Sequence, residues 1–278
     1  MLKNTEDQSS DILCDIDVNG IAILTLNKVS KNNAFDDEMI DGLIHYLDTL
    51  AATPTLRCLV LSANGKHFSA GADLHWMKSM AAKSQLENRQ SAERLARLMS
   101  TLDTFPRPTI AAIQGSAFGG ALGLICCCDI AIGQDDTQFC FSEVKLGLIP
   151  ATIAPYVCRA IGVRAARRYM LTAERIDAHT AQHIGLLHQI VNNEVDTSLE
   201  VQVSKITHAL LANSPSALVQ AKILCKRCEN QPIDKELIRY TSEMIADIRV
   251  SKHGQEGITA FFEKRAPSWI LEVKEGGE

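Results

Sequence analysis

Pro108-Thr109-Ile110-Ala111-Ala112-Ile113-Gln114-Gly115-Ser116-Ala117-Phe118-Gly119-Gly120-Ala121-Leu122-Gly123 passes from an apolar run of strand length, through a glycine turn, into an apolar helix. Pro and Gly bracket the run from Thr109 to Ile113, which reads as a buried strand. Small residues let a ligand approach the turn's backbone, and a helix start presents N–H groups without intrahelical acceptors. A similar arrangement lies upstream. The run Leu56-Arg57-Cys58-Leu59-Val60-Leu61 leads into Gly65-Lys66-His67-Phe68-Ser69-Ala70-Gly71-Ala72-Asp73-Leu74. Alone, each is a tight strand-to-helix turn. Together they can aim two amides at one oxygen, which is an oxyanion hole. Neither carries the Gly-x-Gly-x-x-Gly or Gly-Lys-Ser/Thr pattern of a phosphate loop.

Outward from these turns, Ile21 to Leu26 and Asp129 to Ile132 are further strand-length runs, and Cys14 and Cys140 lie in strand-like stretches. Between residues 36 and 51, Met39, Ile40, Leu43, Ile44, Leu47 and Leu50 recur at helical spacing behind Asp36, a suitable N-cap. Strand and helix alternate to about residue 190, which predicts an α/β layered architecture with helical crossovers. Beyond it, 197–213, 215–230, 232–251 and 254–265 read as helices, with Pro215 and Pro232 near helix starts. No repeat is visible in the sequence itself.

The chain has 278 residues, 46% hydrophobic and 22% charged, and its net charge of −5 argues against a nucleic-acid binder that depends on a basic face. No apolar window is long enough to span a membrane. Residues 1–11 and 271–278 read as polar tails, the former neither signal peptide nor transit peptide. Residues 12–195 form the expected core and 196–270 a helical region. Cys225-Lys226-Arg227-Cys228 has CxxC spacing but no second pair, so the nine cysteines read as small buried hydrophobes in a reducing cytoplasm, and no metal site is expected.

Glu143, in Ser142-Glu143-Val144-Lys145-Leu146-Gly147-Leu148-Ile149-Pro150, is a carboxylate in an apolar, glycine-flanked segment and the leading acid/base candidate. Ser69 and Ser142 lie outside any Gly-x-Ser-x-Gly elbow. His67 and His75 flank the first turn as loop histidines. Trp76 and Met77 read as wall or core, and Lys145 and the Arg164, Arg167, Arg168 cluster as solvated charge.

The order of these motifs resembles the enoyl-CoA hydratase/isomerase (crotonase) family from about residue 12 to 270. Leu26-Asn27 with Asn33-Ala34, Phe68 to Leu74, Pro108 to Gly115, Phe118-Gly119-Gly120, Cys128-Asp129-Ile130, Glu143 to Pro150 and Phe261-Phe262-Glu263-Lys264-Arg265 carry the likeness. The resemblance implies a crotonase (ClpP-like) fold: a repeated ββα spiral core with a helical C-terminal oligomerisation region, assembled as a homotrimer or a dimer of trimers. It gives the Ala72 and Gly120 amides to the thioester oxygen and Glu143 to acid/base work. It gives Ala70, Asp73, Leu74 and His75 to coenzyme A, and Phe261 and Lys264 to a neighbouring subunit's coenzyme A. The substrate is a coenzyme A thioester, with no prosthetic group.

Family hydratases often use two glutamates, and Gly123 occupies the place of the first. Gly71 to Lys78, Ser142 to Ala151, Arg164 to Tyr169 and Leu171 to Arg175 are similar to bacterial methylglutaconyl-CoA hydratases, a subgroup that carries glycine there. The resemblance therefore implies a hydratase of a branched or carboxylated 2-enoyl-CoA. The alternatives are a Δ3,Δ2-enoyl-CoA isomerase, which needs one glutamate, and a non-catalytic acyl-CoA binder.

Overall fold

The computed structural model describes residues 10–192, 194 and 197–270. Residues 1–9 of the expected tail at 1–11, the expected tail at 271–278 and the boundary at 195–196 lie outside the described residues. A six-stranded sheet runs β1 (Ile12–Ile16), β2 (Ile21–Leu26), β3 (Cys58–Ala63), β4 (Thr109–Ile113), β6 (Ile130–Gln134), β9 (Gln189–Val191). Only the β1–β2 pair is antiparallel. The remaining neighbours are parallel, so each connection must cross over the sheet. Every residue of β4 is buried, as a central parallel strand requires.

A second, small sheet joins β5 (Ser116–Phe118), β7 (Gln138–Cys140) and β8 (Ile176–Asp177). The ββα repeat is visible here. β4, β5 and α4 (Gly120–Cys127) form one unit; β6, β7 and α5 (Ala154–Thr172) form another. In the unit that begins with β3, a bridge between Ser69 and Ala117 stands in for the short strand before α2 (Leu74–Ala81).

Helices cover both faces of the large sheet. On one, α1 (Asp37–Ala51) buries the six apolar residues expected from its spacing, and the Asp36 carboxylate accepts from the Met39 amide at 2.9 Å. It packs with α3 (Gln85–Asp103) and α4 around Leu24, Leu61, Leu98 and Leu122. On the other face, α7 (Leu199–Leu211) covers Val60, Ile110, Ala112 and Ile132. The helix α6 (Ala178–His183) precedes β9.

The last helices, α8 (Pro215–Cys228), α9 (Lys235–Val250) and α10 (Lys252–Glu263), pack on one another. Ion pairs help attach them to the core: Lys222 bonds Asp129 at 2.7 Å and Lys226 bonds Asp103 at 2.7 Å. Asp103 also holds Arg159 of α5. The exposed Cys225 and Cys228 on α8 correct the expectation of buried cysteines there. Burial pushes the Cys58 thiol up to about 12, so it stays protonated at neutral pH.

Candidate active site

Three chain segments meet at one end of the small sheet. The first is the turn at 64–73, whose shape is fixed by buried polar groups. Asn33, fully buried with φ 56°, donates through Nδ2 to the carbonyls of Asn64 (2.9 Å) and His67 (3.0 Å). The Ser69 hydroxyl donates to the Asn33 carbonyl at 2.7 Å and accepts from the Gly71 amide at 3.1 Å. Ser69 is thus a strut of the turn. Phe35 then bridges the turn in parallel fashion, its amide donating to the Gly71 carbonyl and its carbonyl accepting from Asp73. Those two bonds flank Ala72, so the Ala72 N–H points away from Phe35. It has no acceptor among the described residues.

The second segment is the glycine turn ahead of α4. Gly119 has φ 53° and ψ −124°, a conformation that only glycine adopts without strain. It leaves the Gly120 amide at the first position of α4, again without an acceptor among the described residues. The two turns touch. A Cβ on Gly71 would lie 2.7 Å from the Phe118 carbonyl oxygen and 3.7 Å from the Gly119 nitrogen, and one on Gly120 would lie 3.6 Å from the Phe35 ring. The Ser116 amide donates to His67 Nδ1 at 3.1 Å, which makes His67 a fastener between the turns. Two amides without acceptors among the described residues, one at a helix N-terminus, thus lie on two turns in contact, and such amides can stabilise negative charge on oxygen.

The third segment carries Glu143. Phe118 pairs with Cys140 across β5 and β7, and the Gly119 amide donates to the Cys140 carbonyl at 3.0 Å. Glu143 follows at the start of a 3-10 turn (Glu143–Leu146) that closes on Gly147, φ 72°. Its Oε1 would lie 3.1 Å from a Cβ placed on Gly119, so the carboxylate stands directly beside the second turn. Oε2 is buried with no hydrogen-bond partner among the described residues. Burial pushes the Glu143 carboxyl above its ordinary range, offset in part by its own backbone amide. A carboxyl so placed can take a proton from water or carbon and give it back.

Of the sequence candidates, Ala72, Gly120 and Glu143 come together. Ala70, Leu74 and His75 lie exposed around the same turn. The Asp73 carboxylate is engaged in capping α2, accepting from the His75 (2.8 Å) and Trp76 (3.0 Å) amides. The Trp76 bond leads, with help from His75 and Lys31, in holding Asp73 below the usual carboxylate range. Phe261 and Lys264 stand apart at the end of α10, and neither makes a hydrogen bond, ion pair or ring contact with residues 70–75 of its own chain. Arg168 is paired with Glu174 at 2.7 Å.

The bracing roles of Asn33, Ser69, Phe35 and His67 were not read from the sequence. For Asn33, the Asn-Ala pair flagged by the resemblance was the available signal. The place at Gly123, where the resemblance puts a first glutamate, is filled. A Cβ there would lie 2.3 Å from Ile153 Cγ2 and 2.9 Å from Met99 Sδ. Among the described residues no three His, Cys, Asp or Glu side chains group to hold a metal, and no helix is long and apolar enough to cross a membrane.

Comparison with known proteins accords with this geometry. The family model described as enoyl-CoA hydratase/isomerase matches residues 17–271. A crystal structure of an enoyl-CoA hydratase from Shewanella pealeana is 50% identical and superposes with a TM-score of 0.89, covering 94% of this chain and 96% of that one. Pseudomonas aeruginosa AtuE is 31% identical, with a TM-score of 0.89 over 94% of this chain and all of its own. The 2,3-dehydroadipyl-CoA hydratase of Escherichia coli is 26% identical over 90% of this chain and 94% of its own. By this family match over nearly the whole chain, together with the shared fold, the chain belongs to the enoyl-CoA hydratase/isomerase family.

Proposed function

We propose that the protein hydrates a branched or carboxylated 2-enoyl-CoA, with 3-methylglutaconyl-CoA as substrate. The observation that carries this is the buried, unpartnered Oε2 of Glu143 beside two unpaired amides. The Ala72 and Gly120 N–H groups hold the thioester oxygen and polarise the C2–C3 double bond. The Glu143 carboxylate takes a proton from water as the water oxygen bonds to C3. The electron pair of the double bond moves toward the thioester, and the amides stabilise the resulting enolate. Protonated Glu143 then returns its proton to C2, so one water is added and the carboxylate is regenerated. A raised carboxyl pKa suits a group that must both accept and donate near neutral pH. The carboxylated acyl group follows the subgroup likeness and the name of the Escherichia coli relative.

The filled place at Gly123 favours a second reading. A Δ3,Δ2-isomerase needs one base, which removes a proton from C2 and returns it to C4. Incubation with 3-methylglutaconyl-CoA, crotonyl-CoA and a 3-enoyl-CoA separates the two by product mass. Gain of one water from 3-methylglutaconyl-CoA supports hydration. Unchanged mass with a moved double bond makes it an isomerase, and no turnover of any of the three refutes both.

In this reading the enzyme works in a reducing cytoplasm, which suits its nine free cysteines, and binds coenzyme A only as part of its substrate. It assembles as a trimer or a dimer of trimers that brings Phe261, 79% exposed, and Lys264 to a neighbour's coenzyme A.

A further inference from the structure

The two turns are joined by a short parallel ladder that is irregular at one place. Ser69 follows the usual pattern opposite Ala117: its amide donates to the Ser116 carbonyl at 3.2 Å, and its carbonyl accepts from the Phe118 amide at 3.0 Å. Two residues earlier, that pattern would give the His67 amide to the Gln114 carbonyl and the Ser116 amide to the His67 carbonyl. Neither bond forms. Phe68 donates to Gln114 at 3.0 Å instead, so one extra residue is inserted in the manner of a bulge. The His67 carbonyl accepts from Asn33 Nδ2 at 3.0 Å, and the Ser116 amide turns to His67 Nδ1 at 3.1 Å. The ring nitrogen thus fills the place that the backbone carbonyl has left. The fit is close. Gly115 has φ 61°, and a Cβ there would lie 1.9 Å from the Lys66 carbonyl oxygen and 3.0 Å from His67 Nδ1. An N–H that points at Nδ1 needs a lone pair there, so the ring is neutral with its proton on Nε2.

We infer that His67 is a positioning residue for the oxyanion site: its Nδ1, an acceptor only in the Nε2–H tautomer, completes the ladder that sets the Ala72 turn against the Gly120 turn. Ala72 lies three residues beyond Ser69, and Gly120 three beyond Ala117, so a slip of the ladder reaches both amides. Without the ring acceptor the Ser116 donor loses its partner, and the remaining bonds alone hold the two turns in register. This rests on the two amides serving as the oxyanion site and adds what spaces them.

Three measurements test it, with whichever thioester the wild type turns over as substrate. In His67→Leu, kcat should fall roughly tenfold or more with KM within about twofold, because a displaced donor weakens the transition state more than the bound substrate. His67→Asn should recover most of that loss, since its Oδ1, like Nδ1, is bonded to Cγ and accepts a hydrogen bond. In wild type isotope-labelled at the histidine nitrogens, the His67 ring resonances, assigned by their loss in His67→Asn, should be those of the Nε2–H tautomer. An unchanged kcat in His67→Leu, an equal loss in both variants, or an Nδ1–H tautomer would each overturn the inference. The tautomer decides if His67→Leu does not fold. Failure of the proposed function is a different result, in which the wild type turns over none of the three thioesters.

Discussion

Glu143 combines a buried oxygen without a partner and a carboxyl held above its ordinary range by burial. Replacement by Gln should lower kcat by about 10²–10⁴, the usual contribution of a positioned acid/base. The same substitution should raise stability at neutral pH. A carboxyl whose folded pKa exceeds its unfolded value stabilises the fold below the unfolded pKa and loses that contribution as pH rises through the folded one. Thermal melts should show Glu143→Gln ahead of wild type at pH 7.5, with the lead shrinking toward pH 4. An unchanged difference across that range would mean that Glu143 is not desolvated. Gly119 offers a second single-residue test. Gly119→Ala forces φ 53°, ψ −124° on a residue with a Cβ and pushes on Oε1. It should cost about 1–3 kcal/mol in denaturant melts and reduce hydration, whereas full activity would show that the turn tolerates movement.

Among the elements, α8 buries no residue fully and holds the core partly through ion pairs. Burial alone would raise the Asp103 pKa, but its bonds from Arg159 and Lys226 overcome this and hold it below the ordinary value. Asp103→Ala should cost about 3 kcal/mol, the low end for a broken buried pair because Lys226 stays half-exposed. The deficit should be full at pH 7 and fade as acid protonates the wild-type carboxylate, which urea melts at both pH values would check. The long elements were legible in sequence: α1 with its Asp36 cap, β2, β4 and the four C-terminal helices match their expected spans within a few residues. β5 and β8 were not, and of β7 only a strand-like stretch around Cys140 was. Strands of two or three residues show no periodicity, and they are made by pairing across the chain. For that reason the ββα repeat is plain in space and absent from the sequence.

At the scale of the molecule, the net charge of −5 gives no general attraction for a coenzyme A carrying several phosphates. Binding would have to come from local groups, and Lys264, at the end of α10 with φ 53°, is the one proposed to serve a neighbour's site; its backbone amide bonds Phe261 within its own helix. Lys264→Ala should raise KM for the thioester several-fold with little change in kcat, and mixing it with Glu143→Gln protein should restore activity if the lysine serves a neighbour's site. Absence of complementation in subunit-exchanged oligomers would place the lysine elsewhere. Which segments would supply Glu143 and the two amides was readable from motif order. How they are braced was not, because Asn33, Phe35 and His67 act through contacts between distant stretches of chain.

The bridge between Ser69 and Ala117, with the Ser116–His67 bond beside it, has a kinetic meaning. The two amides belong to separate crossovers, and neither turn has its final shape until both crossovers have closed on the sheet. Such non-local pairing is slow compared with helix formation. In a refolding experiment followed by both circular dichroism and turnover, catalysis should therefore return after the helices. Activity recovering in step with helicity would mean that the turns form independently. Turnover would then report on the threading of the chain: a molecule that has misthreaded either crossover has its helices but not the paired turns.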